Sequence, residues 1–287
     1  MTDKLIEIPL DRSLSKALAQ PVAPGNTRFH WLGQAGFIIE TSTFRMVIDP
    51  YLSDTLAEKY RGTARPHERM MPAPIAPADL APVDLVLCTH HHTDHMDPGT
   101  LIPLMAANPH ASLVAPRASL STVRERSGLP DGRLCLMNAG ETLTIDGVTM
   151  TATRAAHETL ETDDAGNHRF LGYLIDTGNV RIWHSGDSIP FEGLAADIAS
   201  LKPDLALLPV NGRRAELSNN GVPGNFTLDE AIGVATKVGC TAMVGHHYGL
   251  FAFNTEDPDR IDAASARTAS LRVVRARAAI ALEWRKG

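Results

Sequence analysis

Four histidines and two aspartates stand close together in the segment Thr89–Asp97, which reads Thr-His-His-His-Thr-Asp-His-Met-Asp. The segment directly follows the apolar run Leu85–Cys88, a predicted buried strand, and loops at strand ends often carry functional side chains. Neutral imidazoles together with a carboxylate form a ligand set suited to Zn²⁺, Mn²⁺ or Fe²⁺. The segment therefore indicates a metal site rather than a solvated, histidine-rich turn.

The spacing of these residues, His-x-His-x-Asp-His, resembles the signature of the metallo-β-lactamase superfamily. Members of that superfamily take further ligands from later strand ends, and this sequence has candidates in the matching order. The resemblance implies two divalent ions, Zn²⁺ or Mn²⁺ with Fe²⁺ as an alternative, that activate a water molecule for attack. It assigns His90, His92 and His157 to one ion and Asp94, His95 and His247 to the other, with Asp187 bridging both.

The last ligand is ambiguous from the residues alone. His246 and His247 are adjacent, and the alternation of a strand would send them to opposite sides. The superfamily ligand lies directly before a tyrosine, which favours His247. Tyr248 is then a candidate donor to a developing oxyanion, and Asp94 a candidate for orienting the nucleophile. The resemblance also implies that Asp49 hydrogen-bonds a metal-bound histidine without binding metal itself. The predicted catalytic residues are Asp94, Asp187 and Tyr248.

Short strings elsewhere resemble the ascorbate-6-phosphate lactonase-like branch of the superfamily. They include Trp31-Leu-Gly-Gln-Ala-Gly-Phe, Leu208-Pro-Val-Asn-Gly-Arg213 and His247-Tyr-Gly-Leu-Phe. The resemblance implies hydrolysis of a small lactone or related ester, derived from a sugar with or without a phosphate. Asn211 and Arg213 are candidate substrate contacts, since arginine suits carboxylate and phosphate groups.

Other reactions are compatible with such a metal pair. The main alternative is a phosphodiesterase that acts on a small phosphodiester or on nucleic acid. A di-iron redox site of the same superfamily is disfavoured, because such members carry a glutamate where this chain has His92. A scaffold without metal is disfavoured by the complete ligand set.

Strand patterns dominate the first part of the chain and then alternate with helical patterns, which predicts a layered α/β protein. The superfamily resemblance specifies a four-layer αββα sandwich with two mixed β-sheets flanked by helices. The predicted strands are Arg28–Leu32, Phe37–Glu40, Arg45–Asp49, Val83–Cys88, Ser112–Ala115, Thr149–Thr153, Gly172–Asp176, Arg181–His184, Leu205–Val210 and Thr241–Gly245. The predicted helices are Leu101–Ala107, Arg117–Ser127, Phe191–Ser200, Leu228–Val238 and Asp262–Arg275.

The composition is that of an ordinary globular protein of 287 residues with a net charge of −6. No Lys/Arg run exceeds two residues, which counts against nucleic acid as the main partner. The N-terminus does not resemble a secretory signal, and the apolar runs are far shorter than the roughly 20 residues that span a bilayer. We therefore predict one cytoplasmic domain, 1–287 with a core at about 28–255, that acts on a small molecule and not at a membrane. Assembly into a homo-oligomer stays open.

Overall fold

The computed structural model describes residues 4–265 and 270–286, and within them the chain forms two β-sheets and eight helices. The strands are β1 (Leu5–Pro9), β2 (Thr27–Gly33), β3 (Gly36–Glu40), β4 (Arg45–Ile48), β5 (Leu85–Leu87), β6 (Ser112–Pro116), β7 (Leu134–Met137), β8 (Thr142–Ile145), β9 (Val148–Arg154), β10 (Leu171–Asp176), β11 (Arg181–His184), β12 (Leu205–Pro209), β13 (Ala242–His246), β14 (Arg272–Arg275) and β15 (Ile280–Trp284). The helices are α1 (Leu14–Leu18), α2 (Thr55–Lys59), α3 (Pro98–Ala107), α4 (Leu120–Ser127), α5 (Leu194–Ser200), α6 (Ala215–Ser218), α7 (Leu228–Lys237) and α8 (Pro258–Ser265).

Both sheets mix parallel and antiparallel strands. The first has the order β1-β15-β2-β3-β4-β5-β6-β7, with parallel pairing from β4 to β7. The second has the order β14-β13-β12-β11-β10-β9-β8, with parallel pairing from β11 to β14. Parallel strands end at the same edge of a sheet, so the loops after β4 and β5 lie together at one edge of the first sheet, and those after β11, β12 and β13 at one edge of the second.

The sheets pack face to face, with helices on their outer sides. Phe29 and Phe37 of the first sheet and Tyr173 and Trp183 of the second belong to one buried cluster. Helices α1, α3 and α4 bury apolar residues on the outer side of the first sheet. Helices α5 and α7 contact the second sheet. This arrangement confirms the predicted αββα sandwich with two mixed sheets.

Several elements differ from the sequence prediction. The helix predicted at Asp262–Arg275 is wrong in its second half: α8 runs from Pro258 to Ser265, and Arg272–Arg275 is strand β14. Val273 and Val274 are buried there, and the strand pairs with β13 in parallel, a tertiary contact that overrides local helical spacing. Residues 266–269 of that prediction lie outside the described residues. The prediction also lacked strands β1, β7, β8 and β15.

No helix in the described part of the chain combines the length and the apolar character needed to cross a membrane.

Candidate metal centre

The histidine-rich turn is built between strand β5 and helix α3. Its far end is Asp97, whose side chain caps α3 by accepting the Gly99 N–H at 3.2 Å. From the other side, the Arg126 guanidinium of α4 donates to the carbonyl oxygens of His91 at 2.5 Å and Met96 at 3.1 Å. The backbone of the turn is therefore fixed at both ends, which sets the directions of its side chains.

All seven residues predicted as metal ligands converge at one place. Oδ2 of Asp187 lies 3.1 Å from Nε2 of His247, 3.3 Å from Nε2 of His95 and 3.7 Å from Nε2 of His157. Asp187 follows strand β11 and occupies the middle of the group, as a bridging carboxylate would. The ligand atoms form three sets in which all atoms lie within 4.8 Å of one another: His90, His92 and His157; His90, His95 and Asp187; and Asp94, His95 and His247.

Several buried atoms of this group have no hydrogen-bond partner among the described residues. They are Nε2 of His90, Nε2 of His95, both ring nitrogens of His247 and Oδ1 of Asp187. Buried polar atoms are nearly always paired, so a cluster of unpaired lone pairs calls for an ion. The donor set of imidazole nitrogens and carboxylate oxygens suits Zn²⁺ or Mn²⁺. The residues present therefore fit a divalent metal centre.

For three of these groups, His90, His157 and Asp187, the electrostatics favour the ionisation state that binds metal. Burial lowers the pKa of His157 to about 3 and that of His90 well below its usual range, so both are neutral imidazoles. Burial alone would raise the pKa of Asp187, but the neighbouring His247 and His95 hold it well below its usual range. Neutral imidazoles and ionised carboxylates are the forms that coordinate a cation.

Asp49 supports His95 from behind. It follows strand β4, is fully buried, and its Oδ2 accepts from Nδ1 of His95 at 2.8 Å. Its two oxygens also accept from the backbone N–H of Thr89 at 2.7 Å and from the Thr89 hydroxyl at 2.6 Å. Because Nδ1 of His95 carries the donated proton, Nε2 keeps its lone pair and faces the centre. Asp49 thus has the contact that the resemblance implied.

The structure favours His247 over His246 as the last ligand. His247 has a left-handed backbone with φ of 62°, which turns its ring towards Asp187. The ring of His246 instead stacks on His184 with centroids 5.1 Å apart and meets Phe37 edge to face at 5.3 Å. His246 therefore packs between the sheets.

Gln34 is a site residue that the ligand prediction missed. Its side-chain amide donates to Oδ2 of Asp94 at 2.8 Å, and its backbone carbonyl accepts the backbone N–H of His247 at 2.9 Å. One residue therefore positions a carboxylate and the backbone of a histidine in the same set. The available signal was the string Trp31-Leu-Gly-Gln-Ala-Gly-Phe, which supported the resemblance but gave Gln34 no role.

Two predicted residues do not reach the site. The Tyr248 ring stacks on Trp31 with centroids 5.2 Å apart, and its hydroxyl donates to the carbonyl of Ala276. Arg213 forms a two-point ion pair with Glu230, with both N–O distances at 2.6 Å. Neither residue lines the cavity above the metal ligands, so the structure gives no support to an oxyanion role for Tyr248 or a substrate contact for Arg213.

Asn211 lies one contact behind the cavity. It is buried and donates to Oδ1 of Asn254 at 2.9 Å, while Asn225 donates to Oδ1 of Asn211 at 3.1 Å. Asn254 lines the cavity, whereas Asn211 does not. Asn211 therefore orients a neighbour that substrate can reach, rather than meeting substrate itself.

A cavity of about 540 Å³ opens above the ligands. His92, Asp94, His157, Asp187 and His247 form its floor. Three cationic side chains line the walls, and aromatic rings cover part of one side. The cations are Lys59, Arg65 and Arg126. Among the described residues, Asp94 and Asp187 are the only acidic ones in the lining, so two divalent metal ions on the floor would leave the cavity strongly positive.

The segment 220–223 forms another wall and is tied to the ligand His157 through Gly224. The Gly224 carbonyl accepts from Nδ1 of His157 at 3.2 Å, and the Gly224 N–H donates to Glu158 at 3.0 Å. Glu158 also accepts from the hydroxyl of Ser218. A Cβ at position 224 would stand 2.4 Å from Cα of Arg213, so only glycine fits there. One residue thus links a ligand to the cavity wall.

Comparison with known proteins places the chain among metal-dependent hydrolases. A model of the β-lactamase superfamily domain matches residues 44–248. A UPF0173 metal-dependent hydrolase of Polynucleobacter asymbioticus is 30% identical over 244 residues, which cover 79% of this chain and 75% of the relative. Another, of Thermoplasma acidophilum, is 30% identical over 239 residues, which cover 83% and 90%.

Solved structures share the fold at lower identity. An isothiocyanate hydrolase from Delia radicum gut bacteria aligns with a TM-score of 0.71 at 17% identity, over 88% of this chain and 97% of that one. The metallo hydrolase Igni18 of Ignicoccus hospitalis aligns with a TM-score of 0.61 at 22% identity, over 88% and 96%.

Proposed function

From the premise that this chain belongs to the metallo-β-lactamase superfamily and is a metal-dependent hydrolase, we propose that it uses two divalent ions to hydrolyse a small lactone or related ester. The observation that carries the proposal is the position of Asp187, whose Oδ2 lies within 3.7 Å of three imidazole nitrogens from three different loops. A carboxylate so placed can bridge two ions.

The proposed ligands divide into two sets around that bridge. His90, His92 and His157 would hold one ion, and Asp94, His95 and His247 the other. When bound, a pair of Zn²⁺ or Mn²⁺ ions would supply an activated water and polarise the scissile carbonyl. The chain's own part is to keep His90 and His157 neutral through burial. The neighbouring His247 and His95 keep Asp187 ionised against the effect of burial.

Asp94 has a second task in this proposal. Gln34 donates to its Oδ2 and so fixes the rotation of the carboxylate. Asp94 also lines the cavity, so its carboxylate can accept a proton from the attacking nucleophile while substrate is present. Gln34 is then a positioning residue.

The cavity supports a small substrate. Its volume of about 540 Å³ is that of a site for a metabolite-sized molecule. Lys59, Arg65 and Arg126 would attract an anion and would balance the carboxylate that ester hydrolysis releases. The chain has a net charge of −6 and no Lys/Arg run longer than two residues, which favours a small ester over nucleic acid as substrate.

The test compares Asp187→Asn with the native chain. Protein stripped with a chelator and reloaded with Zn²⁺ or Mn²⁺ is assayed on a panel of γ- and δ-lactones, on bis-para-nitrophenyl phosphate and on RNA. We expect hydrolysis of lactones, a fall in kcat/KM of more than about 100-fold in Asp187→Asn, and loss of bound metal.

The matched control is His110→Ala, which removes an exposed histidine outside the cavity lining and should keep full activity. Unchanged lactone hydrolysis in Asp187→Asn would refute the two-ion mechanism. Turnover of the phosphodiester without turnover of any lactone would replace the ester hydrolase with a phosphodiesterase.

A further inference from the structure

Four aromatic side chains form a continuous wall of the cavity, which we call the aromatic pocket: Tyr60, His67, Phe251 and Phe253. The His67 ring stacks on Tyr60 with centroids 4.3 Å apart. It also meets Phe251 and Phe253 edge to face at 5.1 Å and 4.7 Å. His67 is therefore the central member, since it contacts each of the other three rings.

The chain holds His67 in a backbone conformation that few residues adopt. Its φ is 50°, in the left-handed region, which costs energy for a residue with a side chain. The following residues are anchored to other parts of the fold. Arg69 donates to the carbonyl of Tyr51 at 3.0 Å, and the Met70 N–H donates to the carbonyl of Leu250 at 2.8 Å. Strain kept in place by surrounding contacts is a common feature of functional sites.

The tautomer of His67 follows from its hydrogen bond. Nδ1 lies 2.7 Å from the carbonyl oxygen of Arg65, and a carbonyl can only accept, so Nδ1 carries the proton. Burial lowers the pKa of His67, so the ring is neutral near pH 7 and Nε2 bears a lone pair. Nε2 has no hydrogen-bond partner in residues 4–265 and 270–286. It is also not one of the fully buried, unpaired polar atoms of that part of the chain, so it can be reached from the cavity.

This lone pair differs from the cationic groups of the wall. Lys59, Arg65 and Arg126 offer only donors. His67 belongs to none of the candidate metal-ligand sets found in the described residues, so an ion does not account for it. A phenylalanine would give the same stacking on Tyr60 without an exposed acceptor. The acceptor is therefore the feature of His67 that packing does not explain.

We propose that the aromatic pocket selects the substrate: Nε2 of His67 accepts a hydrogen bond from a substrate hydroxyl or N–H group, and the four rings hold a hydrocarbon part of the same molecule. The proposal rests on the proposed function and narrows it to hydroxylated or N–H-bearing lactones and esters with an apolar portion. His67 is a specificity-determining residue in this account.

The first experiment measures the acceptor with a matched pair of substrates. The ratio of kcat/KM for α-hydroxy-γ-butyrolactone to that for γ-butyrolactone is determined for the metal-loaded native chain, His67→Phe and His67→Asn. Phenylalanine keeps a ring but lacks the acceptor, and asparagine tolerates the left-handed backbone but is too short to reach the same point. Leaving a buried polar partner unpaired is expected to lower the ratio about 10- to 100-fold in both variants.

The second experiment measures how much the aromatic rings contribute to binding the hydrocarbon part of the substrate. Lengthening the alkyl group of a γ-lactone should raise kcat/KM in the native chain, and Phe253→Ala should remove most of that gain. His110→Phe, which changes an exposed histidine outside the cavity lining, is the control and should keep both preferences.

Binding is followed separately from catalysis, so that the two proposals can fail independently. In Zn²⁺-loaded protein labelled with nitrogen-15 histidine, the His67 signal is identified by its loss in His67→Phe. We expect α-hydroxy-γ-butyrolactone, but not γ-butyrolactone, to shift the Nε2 resonance. A shift without hydrolysis of any lactone would overturn the proposed function and leave the role of His67 standing. The role of His67 would be overturned if lactones are hydrolysed, the kcat/KM ratio of the two lactones is the same in the native chain and both His67 variants, and the Nε2 resonance does not shift.

Discussion

Replacing Asp49 by asparagine should weaken metal binding by changing the tautomer of His95. The fully buried Asp49 accepts the Thr89 N–H at Oδ1 and Nδ1–H of His95 at Oδ2. An asparagine must keep its oxygen towards the Thr89 N–H, which can only donate. Its amide nitrogen then faces Nδ1 of His95, and that atom must become an acceptor. The ring proton moves to Nε2, which is the proposed ligand atom.

The size of the effect follows from these contacts. A protonated Nε2 has no lone pair for the ion shared with Asp94 and His247, and loss of such a supporting group costs about 10- to 100-fold in metal affinity. That factor corresponds to about 1.4–2.7 kcal/mol. Because asparagine tolerates left-handed backbone as aspartate does, the φ of 45° at position 49 should not change.

The measurement is competition with a chromophoric chelator, which gives the dissociation constants of both ions. Asp97→Asn is the matched control, because Asp97 is an equally buried carboxylate at the end of the same turn. Its strongest donors are the hydroxyls of Ser53, Thr55 and Thr100 rather than a histidine. Asp97→Asn should lower the free energy of unfolding without weakening the binding of either ion.

Two results would refute this reasoning. One is an Asp49→Asn protein that binds both ions with the native constants. The other is an Asp97→Asn protein that loses metal affinity to the same degree, which would mean that general loosening of the turn is the cause. Circular dichroism of each variant checks that the fold is retained before the constants are compared.

Two further changes test other parts of the structure. Glu158→Ala should raise KM and weaken metal binding at His157 by about tenfold each, because Gly224 loses the anchor of its N–H. Glu158→Gln keeps an acceptor oxygen, so its KM and its metal dissociation constants should stay near the native values in steady-state and chelator assays. An alanine variant with native constants would contradict this. Burial opposes the charge of Glu40, yet its bonds to His30 and Arg45 lower its pKa below the usual 4.5, so it stabilises the fold above that pH. The gap in unfolding free energy between the native chain and Glu40→Gln should therefore shrink as pH falls below 4.5, and a gap in urea titrations that stays constant would contradict it.

The metal turn could be predicted because local sequence determines it. The apolar run before Thr89 forms a buried strand, and the strand end presents the following side chains. The missed strands β1 and β15 are different. Leu5–Pro9 pairs with Ile280–Trp284, its partner from the opposite end of the chain, and no local pattern contains that contact. The same limit hid Gln34, whose link to Asp94 depends on two loops meeting in space.

The errors at Tyr248 and Arg213 have another cause. Proximity in sequence to a ligand or a strand end suggested that both would face the site. His247 has a left-handed backbone, so the residue after it leaves in a direction that strand alternation does not give, and Tyr248 packs on Trp31. Arg213 was predicted from its position after a strand and from its charge, but Glu230 of the capping box of α7 already pairs with it.

Left-handed backbone is concentrated at the proposed site. Seven non-glycine residues in the described ranges have clearly positive φ, and five of them hold a ligand, support one or line the cavity: Gln34, Asp49, His67, Glu158 and His247. Apart from Asp49, since aspartate tolerates this region, each such residue costs about 1–2 kcal/mol. Glycine or asparagine would adopt this backbone at lower cost, but neither would make the contacts that these side chains make. Because periodicity assumes extended or helical backbone, it does not give the side-chain directions at these positions, and the strain itself points to the proposed site.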